Sequence, residues 1–101
     1  MAVLAELRVI PIATPSTSLS PYVAKVIEVL RSRGVKHTLT PFGTCIEVED
    51  FHKLADILNE IVEAMKSMGI NRVAIDIAID VRLDKPITLE SKVRSVEEKL
   101  K

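Results

Sequence analysis

Aromatic side chains are scarce. Tyr22, Phe42 and Phe51 are the only three in 101 residues, and there is no tryptophan. Binders of single-stranded nucleic acid stack bases on aromatic platforms, and an RNA-recognition sheet carries them on its central strands, so both classes are excluded. Cysteine occurs once, as Cys45, which rules out an intrachain disulfide and the Cys-x-x-Cys pair of a metal chaperone. A reducing cytoplasm is the expected compartment, with the thiol acting as a small hydrophobe. Neither sign of charge is in excess, with 14 basic and 14 acidic residues, so the overall balance attracts neither nucleic acid nor an anionic membrane. No apolar run approaches a membrane span. The opening run Met-Ala-Val-Leu-Ala is interrupted at Glu6 and Arg8 and is not read as a signal peptide. His37 and His52 have no companions at metal-ligand spacing, so no metal site and no cofactor are expected.

What is present is a strongly patterned chain of one domain, residues 1 to 101, with 48% apolar and 28% charged residues, a globular composition. Residues 73 to 82 alternate strictly. Val73, Ile75, Ile77, Ile79 and Val81 fall on one side; Ala74, Asp76, Ala78, Asp80 and Arg82 fall on the other. That period of two is a half-buried strand. Residues 3 to 12 alternate in the same way, and Ala13 to Ser20 is a loop. Ser20-Pro21 reads as a helix start, with Ser20 as N-cap, and Gly34 as the stop. Two short strands follow, Lys36 to Pro41 and Thr44 to Val48, joined tightly at Phe42-Gly43. Asp50 is placed to cap a second helix, with an apolar stripe of Phe51, Leu54, Ala55, Leu58, Ile61, Val62, Met65 and Met68, closed by Gly69. Thr88 is placed to cap a last helix whose narrow stripe, Leu89, Val93, Val96 and Leu100, suits a seam against one neighbour or the sheet edge.

The order βαββαβ plus a C-terminal helix predicts an α+β, ferredoxin-like fold: an antiparallel sheet with two helices on one face. Right-handed crossovers put the first strand between the third and fourth. The helices are expected to cover Leu7, Val9, Ile46, Val48 and the odd-numbered face of residues 73 to 79. The opposite face then carries Leu4, Glu6, Arg8, Ile10, Thr38, Thr40, Cys45, Glu47, Asp76 and Asp80. Its apolar members and Ala74 and Ala78 suit a covered surface, where desolvated acids need cationic or hydrogen-bonding partners. A small cationic ligand with amino groups, held where two subunits meet, would provide both. Cys45 and His37 fall on opposite faces and make no dyad; with no nucleophile–base pair or metal cluster, the chain is read as a non-enzyme.

Three stretches resemble the small YkoF-like thiamine-binding protein family: Val9-Ile10-Pro11-Ile12 leading to Ser16-Thr17-Ser18-Leu19-Ser20, Gly43-Thr44-Cys45-Ile46-Glu47, and Ile77-Ala78-Ile79-Asp80-Val81-Arg82. Val48 departs from the family pattern, which has glycine after the glutamate. The resemblance implies a ferredoxin-like protomer assembled as a homodimer or homotetramer in the cytoplasm. It also implies non-catalytic binding of thiamine or a hydroxymethylpyrimidine-like molecule. Carried over by motif, Thr44, Glu47 and Asp80 would bind ligand, with Ser18 and Ser20 contributing from the loop. Arg8, Thr38 and Asp76 are added from the geometry of the face, and Arg82 is expected to pair with Asp80 or Asp84. The competing reading is an oligomeric regulatory or structural module whose acidic face serves only subunit assembly.

Overall fold

A computed structural model describes residues 2–101. The elements, numbered in chain order, are β1 (Val3–Pro11), α1 (Ser20–Ser32), β2 (Lys36–Leu39), β3 (Thr44–Val48), α2 (Phe51–Ser67), β4 (Val73–Asp80) and α3 (Leu89–Lys99). The four strands make one antiparallel sheet in the order β2-β3-β1-β4. This is the expected ferredoxin-like arrangement, with β1 central. Among the described residues no helix is long and apolar enough to cross a membrane.

Local chemistry sets the element ends. Asp50 accepts a hydrogen bond from the Lys53 backbone N–H and caps α2. Thr88 and Ser91 form a reciprocal capping box at α3. α1 differs from expectation: its N-cap is Leu19, which makes no side-chain cap bond, and Ser20 is already helical, its hydroxyl 3.1 Å from that of Ser18. Pro21 still sits in the first turn, where its missing N–H costs nothing. In the β2–β3 loop the Thr40 hydroxyl accepts from the N–H groups of Phe42 and Gly43. A side chain at Gly43 would put its Cβ 2.9 Å from the Leu7 carbonyl oxygen, so only glycine lets the loop lie this close to β1.

The main core is the layer between α1, α2 and one sheet face. Leu7, Leu30, Ile46, Ile57, Ile61 and Met65 are its largest wholly buried side chains. Each contributes roughly 1.5–3 kcal/mol of burial. Val48 is part of this core. The α2 stripe is shifted from the expected one. Leu54, Ile57, Ile61 and Met65 are buried, whereas Phe51, Ala55 and Val62 are exposed. Several nearby apolar residues on a helix allow neighbouring stripes, and packing on β3 selects one.

The β4 expectation also needs correction. α1 and α2 sit over β1, β2 and β3, and β4 is an edge. Ile77 and Ile79 are therefore 38% and 45% exposed instead of lying under the helices.

Ile57→Ala should lower unfolding free energy by about 2–5 kcal/mol. Val62→Ala, on the exposed flank, should change it by less than about 1 kcal/mol. Urea denaturation of both variants checks which stripe of α2 faces the sheet.

Candidate functional site

The sheet face away from α1 and α2 is partly roofed by α3. Glu47 on β3 fastens the roof: its Oε1 accepts from the Leu89 backbone N–H at 3.0 Å, satisfying a free donor at the helix N-terminus. Lys36 on β2 lies 3.3 Å from the same carboxylate and 2.6 Å from Glu90 of α3. At the other side Lys92 of α3 pairs with Asp80 of β4. Leu4 and Ile87 are buried outside the main core, and Leu4 lies beneath this cover. No residue of α3 is itself buried, and Val93, Val96 and Leu100 are 59%, 60% and 80% exposed. The expected apolar seam is thus largely open within one protomer, because α3 is held by charges at its first two turns.

Two cavities open beneath the helix. The first, of about 310 Å³, has Leu4, Cys45 and Ala78 toward the sheet, Leu89 and Val93 toward α3, and Glu6, Asp80 and Lys92 among its polar lining. The second, of about 430 Å³, meets it at Cys45, Leu89 and Val93 and runs past Thr38 and Thr40 toward Arg94. Beside the first, Glu6, Arg8 and Asp76 line a shallow polar groove. Arg8 pairs with Glu6 at 3.1 Å, although Asp76 is its cross-strand neighbour.

The structure brings five of the expected site residues to this surface: Asp80 in the first cavity, Thr38 in the second, Arg8 and Asp76 in the groove, and Glu47 at the helix anchor. It places the others elsewhere. Thr44 alternates with Cys45, is 3% exposed and joins the helix-side core face with Ile46 and Val48. There it lines a separate cavity with Leu19 and Gly43, and Ser20 lines the adjoining one along Leu39 and Thr40. Ser18 is exposed and bonded to Ser20. A motif contiguous in sequence is thereby split, since successive strand residues point to opposite faces.

The lining from α3, Leu89, Lys92 and Val93, was absent from the sequence expectation. The usable signal was the cap at Thr88, which starts a helix soon enough after β4 for it to fold back. Arg82 pairs with Asp84 through two bonds of 2.6 and 2.9 Å, which lowers the Asp84 pKa and raises that of Arg82. Burial, together with the Glu6 carboxylate, pushes the Cys45 thiol up, so it stays protonated near neutral pH and is a poor nucleophile. His37 bonds the Val35 carbonyl on the other face. Among the described residues no group of three His, Cys, Asp or Glu side chains is placed to hold a metal ion.

The hydrogen bond from Lys36, with its charge, holds the Glu90 carboxyl below the usual range. Glu90 in turn raises Lys36 against a smaller opposing effect of desolvation. The contribution of Glu90 is present above the ordinary glutamate pKa and is lost as pH falls through its lowered value. That of Lys36 is present below the ordinary lysine pKa and is lost as pH rises through its raised one. Lys36→Met should therefore raise the Glu90 midpoint in a carboxyl-carbon NMR titration; an unmoved midpoint would show that the bridge does not form in solution.

Comparison with known proteins places this arrangement among relatives. The profile of a family described as "Thiamine-binding protein" matches residues 5–97. The UPF0045 protein YqgV of Bacillus subtilis is 43% identical over 101 residues, with 96% of each chain covered. The solved structure of the hypothetical protein MJ1052 of Methanocaldococcus jannaschii superposes with a TM-score of 0.82 at 31% identity, covering 96% of this chain and 97% of that one. A solved Thermotoga maritima structure, called a "putative thiamine biosynthesis/salvage protein", gives a TM-score of 0.80 at 26% identity, with 95% and 99% covered.

Proposed function

Because this chain belongs to the thiamine-binding protein family, we propose that it binds thiamine or a related hydroxymethylpyrimidine in the cavity beneath α3, without transforming it. The observation that carries the reading is the make-up of that cavity: an apolar floor of Leu4, Cys45 and Ala78 with carboxylates Glu6 and Asp80 in its lining. A flat pyrimidine suits the apolar floor, while its amino group and the cationic thiazolium suit the carboxylates. Asp80 is the principal ligand-facing acid in this reading. Arg8, Thr38 and Asp76 act from the flanks, and Glu47 acts by holding α3 in place. Thr44, Ser18 and Ser20, at the helix-side cavities, take part only as a second, hydroxyl-rich contact region. The protein works in the cytoplasm as a homodimer or homotetramer.

A second reading is favoured by one observation: Glu6, Glu47 and Asp80 already have cationic partners within the protomer, Arg8, Lys36 and Lys92. On that reading the charges only fasten α3 and shape an assembly surface. A cationic ligand at Asp80 has to displace Lys92, so the two readings give different binding outcomes.

Calorimetric titration separates them. Thiamine should bind, and Asp80→Asn should weaken it by about tenfold or more, because the cation loses a charged acceptor. Glu47→Gln should also weaken binding while leaving the assembled mass intact. No binding at about millimolar thiamine would leave the assembly role standing alone.

A further inference from the structure

Along α3 the grip on the sheet falls off from one end to the other. Ile87, just before the helix, is buried, and the two half-buried residues of α3, Leu89 and Ser91, lie in its first turn. The Thr88–Ser91 capping box and the Leu89 N–H on Glu47 fix that end. From Lys92 onward every residue of the helix is exposed. Among the described residues, the only polar tie from this part of α3 to the sheet is Lys92 with Asp80 of β4. Beneath it the helix stands off the sheet, leaving the cavities of about 310 and 430 Å³ that share Cys45, Leu89 and Val93 in their lining.

The two ends also differ in strength. The Glu47 side chain is only 19% exposed, and a helix N–H bonded to a shielded carboxylate favours the closed form by about tenfold or more. Both partners of the Lys92–Asp80 pair are 50% exposed, and such a pair is worth about fivefold at most. The helix therefore gives way first at Lys92.

We propose that α3 is a hinged lid over the two cavities, turning about its fixed N-terminal end and latched by Lys92 on Asp80. Its backbone bonds and capping box stay intact when the latch opens, so it lifts as one unit. Lifting uncovers Cys45 and opens a way for a small molecule beneath the helix. The lid itself requires no ligand. Its consequence for binding rests on the cationic-ligand reading: Asp80 is both the latch acceptor and the principal ligand-facing acid, so Lys92 and a bound cation exclude one another. Lys92 is then a competitor built into the chain, and a cation on Asp80 holds the lid unlatched. A neutral molecule cannot make that exchange.

Cys45 is the single cysteine and reports on the lid without any modification of the chain. Its alkylation by iodoacetamide, in the full chain without ligand, should quicken about threefold to tenfold in Lys92→Asp, with helical circular dichroism unchanged. Adding Asp80→Lys, which exchanges the two charges, should return the rate to within about twofold of the wild type. A carboxylate brought toward a thiol raises its pKa and slows alkylation, so a faster rate reads exposure and not chemistry. An unchanged or slower rate, a fast rate that the exchanged pair does not reverse, or a loss of helical signal would overturn the lid. Thiamine titration reads the competition: Lys92→Met should tighten binding about twofold to fivefold, and equal or weaker binding would remove Lys92 as competitor. If the wild type takes up no thiamine, the ligand reading fails, and the lid stands or falls on the labelling alone.

Discussion

The roof over the sheet depends on one fastening. The Glu47 carboxylate, largely shielded on β3, takes the first free N–H of α3, while Lys36 bridges it to Glu90 on the same helix. A hydrogen bond from a helix N-terminal N–H to a carboxylate is charge-assisted and is worth about 1.5–3 kcal/mol when the acceptor is shielded. An exposed ion pair contributes far less, so the Glu47 contact fixes where α3 begins and the lysines fix its direction. The helix so placed supplies the Leu89 and Val93 side of both cavities.

A helix held by its first two turns, with its apolar stripe uncovered, is a particular physical object. It has little burial of its own to resist displacement, and its contacts with the sheet are mostly polar. Lys92 of this helix pairs with Asp80 of β4 in the lining of the first cavity. The same helix therefore both lines the cavity and supplies the cation for its acid.

The two sheet faces divide the labour. The face under α1 and α2 is conventional core, and the glycine at position 43 allows the β2–β3 loop to close against β1 without disturbing it. The other face is built from alternate residues of the same strands, so each residue added to the core fixes a neighbour on the polar side. This coupling explains why Thr44 and Glu47, three residues apart on one strand, serve opposite surfaces. It also explains why edge strand β4 shows apolar side chains on one side and aspartates spaced by alanines on the other.

Much of this was determined by the sequence. Period-two and helical spacing, with Gly34, Asp50, Gly69 and Thr88 as stops and caps, established the elements, their order and the ferredoxin-like sheet, because these signals are local. Alternation likewise assigned Asp80, Asp76, Glu47, Arg8 and Thr38 to one face. Tertiary structure decided what local pattern leaves open. Which of several apolar stripes on α2 is buried depends on the facing strand, and the exposure of Ile77 and Ile79 depends on where two helices come to rest. The return of α3 across the acidic face depends on contacts between residues more than forty positions apart, Glu47 with Leu89 and Lys36 with Glu90, whereas the split of Thr44 from Glu47 follows from strand alternation alone. One periodic pattern is compatible with several such packings, and only the joint packing of the whole chain chooses among them.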